Sequence, residues 1–244
     1  MKAYGLTDTG KIRNQNEDSI FFTTESVGTL PNVFIVSDGM GGHLAGEVAS
    51  QKSIKYFCEF VRAKAYATGE LLDFIVSAAV YANEKVFEMS MRDPSLRGMG
   101  TTFSVCVVSG TKLYIAHIGD SRVYFVSGSR IIQLTNDHSY VSELVRAGRL
   151  SEADARNHPR KNELTRVLGA DAAAEVDGIV YELESDGFLL LCSDGLSNML
   201  TDDEIHKIIG KTDSVEIKIR CLISAANDYG GYDNISDVLA DLRR

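Results

Sequence analysis

An α+β fold, with two β-sheets packed face to face and helices on their outer faces, is predicted by three features of this 244-residue sequence. Short, often alternating apolar runs crowd both ends of the chain, tight turns separate neighbouring runs, and two long helical patterns lie between them. In order, the strand-like runs fall at about 2–7, 19–24 and 32–37. Two amphipathic helices follow. Leu44, Val48, Ile54, Phe57 and Val61 share one helical face, and Leu72, Ile75, Val76, Ala79, Val86 and Phe87 share another. Strand patterns resume at about 101–109, 112–118, 121–127 and 130–134, where the short connection from Ser127 to Arg130 implies antiparallel pairing.

Residues 137–175 break this rhythm. Short helical patterns at Ser139 to Ala147 and Ser151 to Ala155 lead into polar sequence with His158 and Pro159. Strands return at about 177–182 and 187–192. Thr201 with Glu204 reads as a capping box for a short helix, Ser214 as the start of a helix reaching about Ala226, and 235–241 as the last strand. The Gly98 to Thr102 run lacks the phosphate-loop pattern and reads as a strand entry with tight backbone packing.

With three prolines, no repeat and no low-complexity linker, the chain reads as one domain over residues 1–244. Its 44% hydrophobic content supports a sizeable core, yet no apolar run approaches the roughly 20 residues needed to span a bilayer. The first residues enter a strand pattern without the basic and apolar regions of a signal peptide, so a cytoplasmic location without membrane insertion is expected. A formal charge of −9 argues against a nucleic-acid partner, which requires a basic face. Cys58, Cys106, Cys192 and Cys221 form no CxxC pair and predict buried reduced thiols.

The chemistry is concentrated at the borders of the apolar runs. In VSDGMGGHLAG, the apolar stretch Val33 to Val36 is followed by Asp38, Gly39, Gly41, Gly42 and His43; an aspartate among glycines presents a carboxylate and bare backbone where larger residues would not fit. Glu17 and Asp18 follow Arg13 in RNQNEDS, Asp120 follows LYIAHIG, Asp194 follows FLLLCS, and Asp233 precedes an apolar strand. Singly, each aspartate is ordinary turn chemistry. Together they make a set of hard oxygen donors suited to magnesium or manganese and unsuited to zinc.

RNQNEDS, VSDGMGGH, GMGTTFSV, HIGDSRVY, LTNDHS, LTRVLG, CSDGL and DNIS, spread from Arg13 to Ser236, resemble in order the motifs of the metal-dependent protein phosphatases, the protein phosphatase 2C family, in its compact bacterial form. The resemblance implies a four-layer αββα sandwich with a metal centre at one end of the sheets, and a flap at about 137–175. It implies a serine/threonine phosphoprotein phosphatase that hydrolyses phosphomonoesters by attack of a water or hydroxide bridging two Mn2+ or Mg2+ ions. Asp38 would bridge the ions, the Gly39 carbonyl would complete one shell, Asp194 and Asp233 would hold the other, and Glu17 and Asp18 would act nearby. Asp120 with Asp194 would form a weaker third site. Arg13 matches the family's phosphate-binding arginine, whose fork suits two phosphoryl oxygens. His43 is a candidate general acid, with metal-bound water as its competitor, because the eukaryotic relatives carry histidine where this chain has Met40. His117, His138, His158 and His206 read as structural or flap residues.

Family context also implies phosphoserine and phosphothreonine proteins as partners, among them an opposing serine/threonine kinase. No cysteine has an arginine six positions later, which excludes the cysteine-based phosphatase loop. A phosphoprotein-binding pseudophosphatase would be expected to lack a metal carboxylate, and a two-metal phosphodiesterase to carry a basic stripe. The sequence has neither feature.

Overall fold

The computed structural model describes residues 1–42, 44–67, 69–128, 130–211 and 214–243. Twelve strands among these residues form two five-stranded antiparallel sheets and one short two-stranded antiparallel pair. The first sheet runs β1 (Lys2–Asp8), β12 (Ile235–Asp241), β11 (Phe188–Cys192), β8 (Arg122–Val126), β9 (Ile131–Gln133). The second runs β10 (Asp177–Glu182), β7 (Lys112–Ile118), β6 (Phe103–Ser109), β3 (Val33–Ser37), β2 (Ser19–Thr23).

Alternation along the buried strands builds the layers. Phe34 and Val36 of β3 meet Leu189 and Leu191 of β11 and Val238 and Ala240 of β12 in the core between the sheets. Val33 and Ile35 point the other way, into a core shared with α1 (Ala45–Ala63) and α2 (Leu71–Arg92). On the first sheet, Leu190, Ile235 and Leu239 pack against α6 (Asp202–Gly210) and α7 (Val215–Asp228). Strands buried on both faces with period-two partition are what a four-layer helix–sheet–sheet–helix arrangement demands.

The helix starts follow their side chains. Thr201 and Glu204 form the reciprocal capping box of α6, and the Ser214 hydroxyl accepts the Ile217 N–H at the start of α7. Ser139 and Ser151 cap α3 (Tyr140–Arg146) and α4 (Glu152–Arg156) in the same way.

Three features depart from the sequence reading. The run at 101–109 is broken at Thr102: β5 (Gly100–Thr101) pairs with β4 (Gly39–Met40), while β6 joins the second sheet. The break arises because the Asp38 carbonyl draws in the Thr102 N–H and the Thr101 hydroxyl, each at 2.8 Å. A short helix, α5 (Asp194–Ser197), absent from that reading, also begins at the aspartate bordering the 187–192 run. The cysteines are all free thiols, but Cys221 is exposed rather than buried. No helix among the described residues is long and apolar enough to cross a membrane.

Candidate metal centre

Antiparallel pairing carries the acidic residues to one end of both sheets. Ser19 pairs with Ser37, Phe103 with Ile118, and Cys192 with Asp237. The starts of β2, β6 and β12 therefore lie level with the ends of β3, β7 and β11. Asp18 precedes β2, Asp38 follows β3, Asp120 follows the Gly119 turn after β7, Asp194 follows β11 and Asp233 precedes β12. Their charges act on one another, Asp18, Asp194, Asp120 and Asp233 all raising Asp38, as their common position at one end of the sheets requires.

The backbone at this end is too close for larger residues. A Cβ on Gly39 would lie 2.1 Å from the Gly46 carbonyl oxygen and 2.6 Å from that of Glu17, and a Cβ on Gly46 would meet the Glu17 carboxylate at 2.8 Å. Here the absence of side chains lets β4, the first turn of α1 and the Glu17 segment touch.

Close carboxylates without enough cations cannot all ionise. Loss of hydration, then the charges of Asp18, Asp194, Asp120 and Asp233, pushes Asp38 well above the ordinary carboxylate range. Desolvation followed by Asp194 does the same for Asp120. Burial raises Asp18 to about 7, although the Ser236 and Ser193 hydroxyls favour its charged form. Asp194 rises to about 6, chiefly from desolvation and Asp233, while the neighbouring Asp38 carboxyl and the Arg13 and Arg122 charges offset part of the rise.

Asp18 Oδ2 and Asp194 Oδ1 are buried with no hydrogen-bond partner among the described residues. A buried polar atom left unpaired is costly, and an unpaired carboxylate oxygen more so. Hard divalent cations would satisfy these oxygens, so the donor set fits magnesium or manganese. It is not a closed cage: no group of three or more His, Cys, Asp or Glu among the described residues stands ready to hold an ion unaided.

Arg13 lies at the rim, and its Nη2 donates to Asp233 Oδ2 at 2.7 Å. The sequence reading gave these residues to phosphate and to cation separately, whereas the structure pairs them. Asp233 engages one nitrogen of the fork. His43 lies outside the described residues. His117 and His138 are buried and hydrogen-bonded, and His206 bonds the Ser127 carbonyl at 3.0 Å.

Sequence reasoning missed the residues that hold the site together. The Asn234 side chain donates to the carbonyls of Thr9 and Gln15, each at 2.9 Å, and accepts the Glu17 N–H at 2.9 Å. It thereby ties the loop carrying Arg13 and Glu17 to Asp233. Thr102 Oγ1 accepts the Asp38 N–H at 2.9 Å and bonds Ser121 Oγ at 2.7 Å, linking the Asp38 and Asp120 turns. The DNIS and GTTFS runs contain both residues, but spacing carries no sign of partners so distant in sequence.

Residues 2–235 match the family model described as Protein phosphatase 2C. The chain is 39% identical over 245 residues to a relative named serine/threonine phosphatase stp from Listeria monocytogenes, covering 99% of this chain and 96% of the relative. Its fold matches a crystal structure of the serine/threonine phosphatase Stp1 from Staphylococcus aureus with a TM-score of 0.93 at 30% identity, over 100% of this chain and 95% of the other. A second match is the catalytic domain of the serine/threonine protein phosphatase PstP in complex with two manganese ions. It has a TM-score of 0.86 and 32% identity, and covers 100% of this chain and 98% of that one.

Proposed function

This chain belongs to the protein phosphatase 2C family, and we propose that its carboxylate cleft holds two Mn2+ or Mg2+ ions through Asp38, the Gly39 carbonyl, Asp194 and Asp233. The chain is a metal-dependent serine/threonine phosphatase. The observation that carries the site assignment is the pair of unpartnered buried oxygens, Asp18 Oδ2 and Asp194 Oδ1, among carboxylates that repel one another. Divalent cations bound there supply positive charge to the phosphoryl oxygens and an activated water as nucleophile.

The chain's own groups do the rest. Arg13 binds the phosphoryl group with the donors that Asp233 leaves open, and Asp233 fixes the direction of the fork. Asp18 and Glu17 shape the cleft beside the ions, and Asp120 with Asp194 holds a third. His43, next to the Asp38 turn in sequence, is the candidate donor of a proton to the departing serine or threonine oxygen. Residues 137–175 act as a flap over the cleft within a single catalytic domain. The substrates are phosphoserine and phosphothreonine proteins, an opposing serine/threonine kinase among them, and the location is cytoplasmic.

Parallel assays on a phosphothreonine peptide and on a phosphodiester, each titrated with Mn2+, test the reading. Metal-dependent release of phosphate from the peptide with negligible diester cleavage is expected. Preferential diester cleavage would replace the phosphatase reading with that of a phosphodiesterase.

A further inference from the structure

Both peptide groups of Gly119, the residue before Asp120, are taken by His138. The Gly119 N–H donates to His138 Nδ1 at 3.2 Å, and the Gly119 carbonyl accepts the His138 N–H at 2.8 Å. Gly119 has φ +108°, and a Cβ there would lie 2.6 Å from the Thr102 side chain. The turn that aims Asp120 is therefore clamped by histidine on one side and by Thr102 on the other.

The hydrogen bonds fix the tautomer. A peptide N–H can only donate, so Nδ1 must be the bare acceptor and the ring proton sits on Nε2. Nε2–H then donates to Asp177 Oδ2 at 3.1 Å, and the other oxygen of Asp177 accepts Arg166 Nη1, also at 3.1 Å. Burial holds the His138 pKa below the ordinary value, which keeps the ring neutral as this arrangement requires. The His138 carbonyl accepts the Thr165 N–H at 2.8 Å, and Leu168 exchanges both backbone bonds with Thr101 at 2.9 Å. A continuous path thus joins the Asp38 and Asp120 turns, through Thr102, Gly119 and His138, to Asp177, Arg166 and the base of the segment from Ser139 to Leu168.

We propose that His138 is a positioning residue whose two ring nitrogens serve different ends: Nδ1 sets the Asp120 turn for its cation, and Nε2 tethers the base of the 139–168 segment that meets the substrate protein. The inference rests on the reading of Asp120 as a cation ligand. Groups beyond the first ligands of a metal, which orient them, commonly change affinity by about 10- to 100-fold when lost.

Two isosteres separate the two nitrogens. His138→Asn retains an acceptor near Nδ1 and loses the link to Asp177, and His138→Gln retains a donor near Nε2 and loses the acceptor for Gly119. Mn2+ binding is measured by titration calorimetry, with kcat and KM for p-nitrophenyl phosphate and for a phosphothreonine peptide. His138→Gln is expected to weaken one Mn2+ binding event about tenfold and to lower kcat on both substrates without raising KM. His138→Asn is expected to keep Mn2+ affinity within about twofold and to raise KM for the peptide only.

Equal losses in both variants, in proportion to their melting temperatures, would reduce His138 to a core residue and overturn the proposal; so would wild-type behaviour of both. Asp177→Ala, at a half-exposed position, removes the acceptor and provides an independent variant: it must raise the peptide KM and leave Mn2+ binding intact, or the tether is wrong. If Asp120→Asn leaves every Mn2+ event unchanged, the cation reading of Asp120 fails and this inference with it. If Asp120→Asn removes an event that His138→Gln leaves untouched, the inference alone fails.

Discussion

Asp137 and Asp38 are both aspartates in strand-end loops, yet their surroundings oppose each other. Asp137 receives Arg122 Nε and Nη2 at 2.7 to 3.1 Å and the Gln133 amide at 2.8 Å, so a cation built into the chain satisfies it. Asp38 shares its cleft with Asp18, Asp120, Asp194 and Asp233, and the nearby arginines do not offset their repulsion. The difference identifies which carboxylates complete the fold by themselves and which depend on something from solution. A closed ion pair is structural, whereas orphaned oxygens in a cleft are a demand for cations.

The comparison breaks most visibly at Asp38. Asp38→Asn is expected to lower turnover of a phosphothreonine peptide by at least ~10³-fold, roughly 4 kcal/mol of transition-state stabilisation, while leaving the metal-stripped protein at least as stable as wild type because one repelling charge is gone. Retention of near wild-type turnover in manganese would remove Asp38 from the metal site. The reverse pattern is expected of Asp137→Ala. Leaving Arg122 unpaired, with both side chains mostly buried, should cost about 3 kcal/mol of stability in urea denaturation. A loss under about 1 kcal/mol would show that the pair resembles a surface bridge.

Cations should close the gap between the two regions. Metal-stripped protein is expected to gain about 2.7 kcal/mol from Mn2+ at a hundredfold excess over its Kd. The pH dependence follows from folded-state values above those of the unfolded chain. Asp18 at about 7 and Asp194 at about 6 confer stability that is fully present below roughly pH 4 and lost as pH rises through 6 to 7. Stripped protein should therefore melt higher at pH 5 than at pH 8, and Mn2+ should help more at pH 8. A stripped protein whose melting temperature is the same at both pH values would count against the crowded cluster.

The smallest effect is expected at the rim. Arg13→Ala should raise KM about tenfold, near 1.4 kcal/mol, with Mn2+ stabilisation retained, provided that Arg13 grips ground and transition states alike. An unchanged KM would assign the arginine to Asp233 alone.

Much of this molecule was legible in one dimension because local physics writes it there. The continuous apolar run from Val33 to Val36 foretold a strand, although not that its faces serve two different cores. Thr201 with Glu204 declared a helix start because both capping partners lie within one turn. Phe103 to Ser109 was found, but the interruption at Thr102 was not, since its cause is the Asp38 carbonyl, 64 residues away by chain numbering.

The sequence by itself determined the element order, the acidic residues at the strand borders and the ordered motifs that mark the family. Those features depend on near neighbours in the chain, where propensity, periodicity and residue chemistry act. Tertiary structure decided the pairing of Arg13 with Asp233, the stitching by Asn234, and the bonding of His138 to both Gly119 and Asp177. These contacts span from 19 to 225 positions along the chain. Which partner a donor meets at such separations is set by sheet order and register, and those exist only once the whole core has packed.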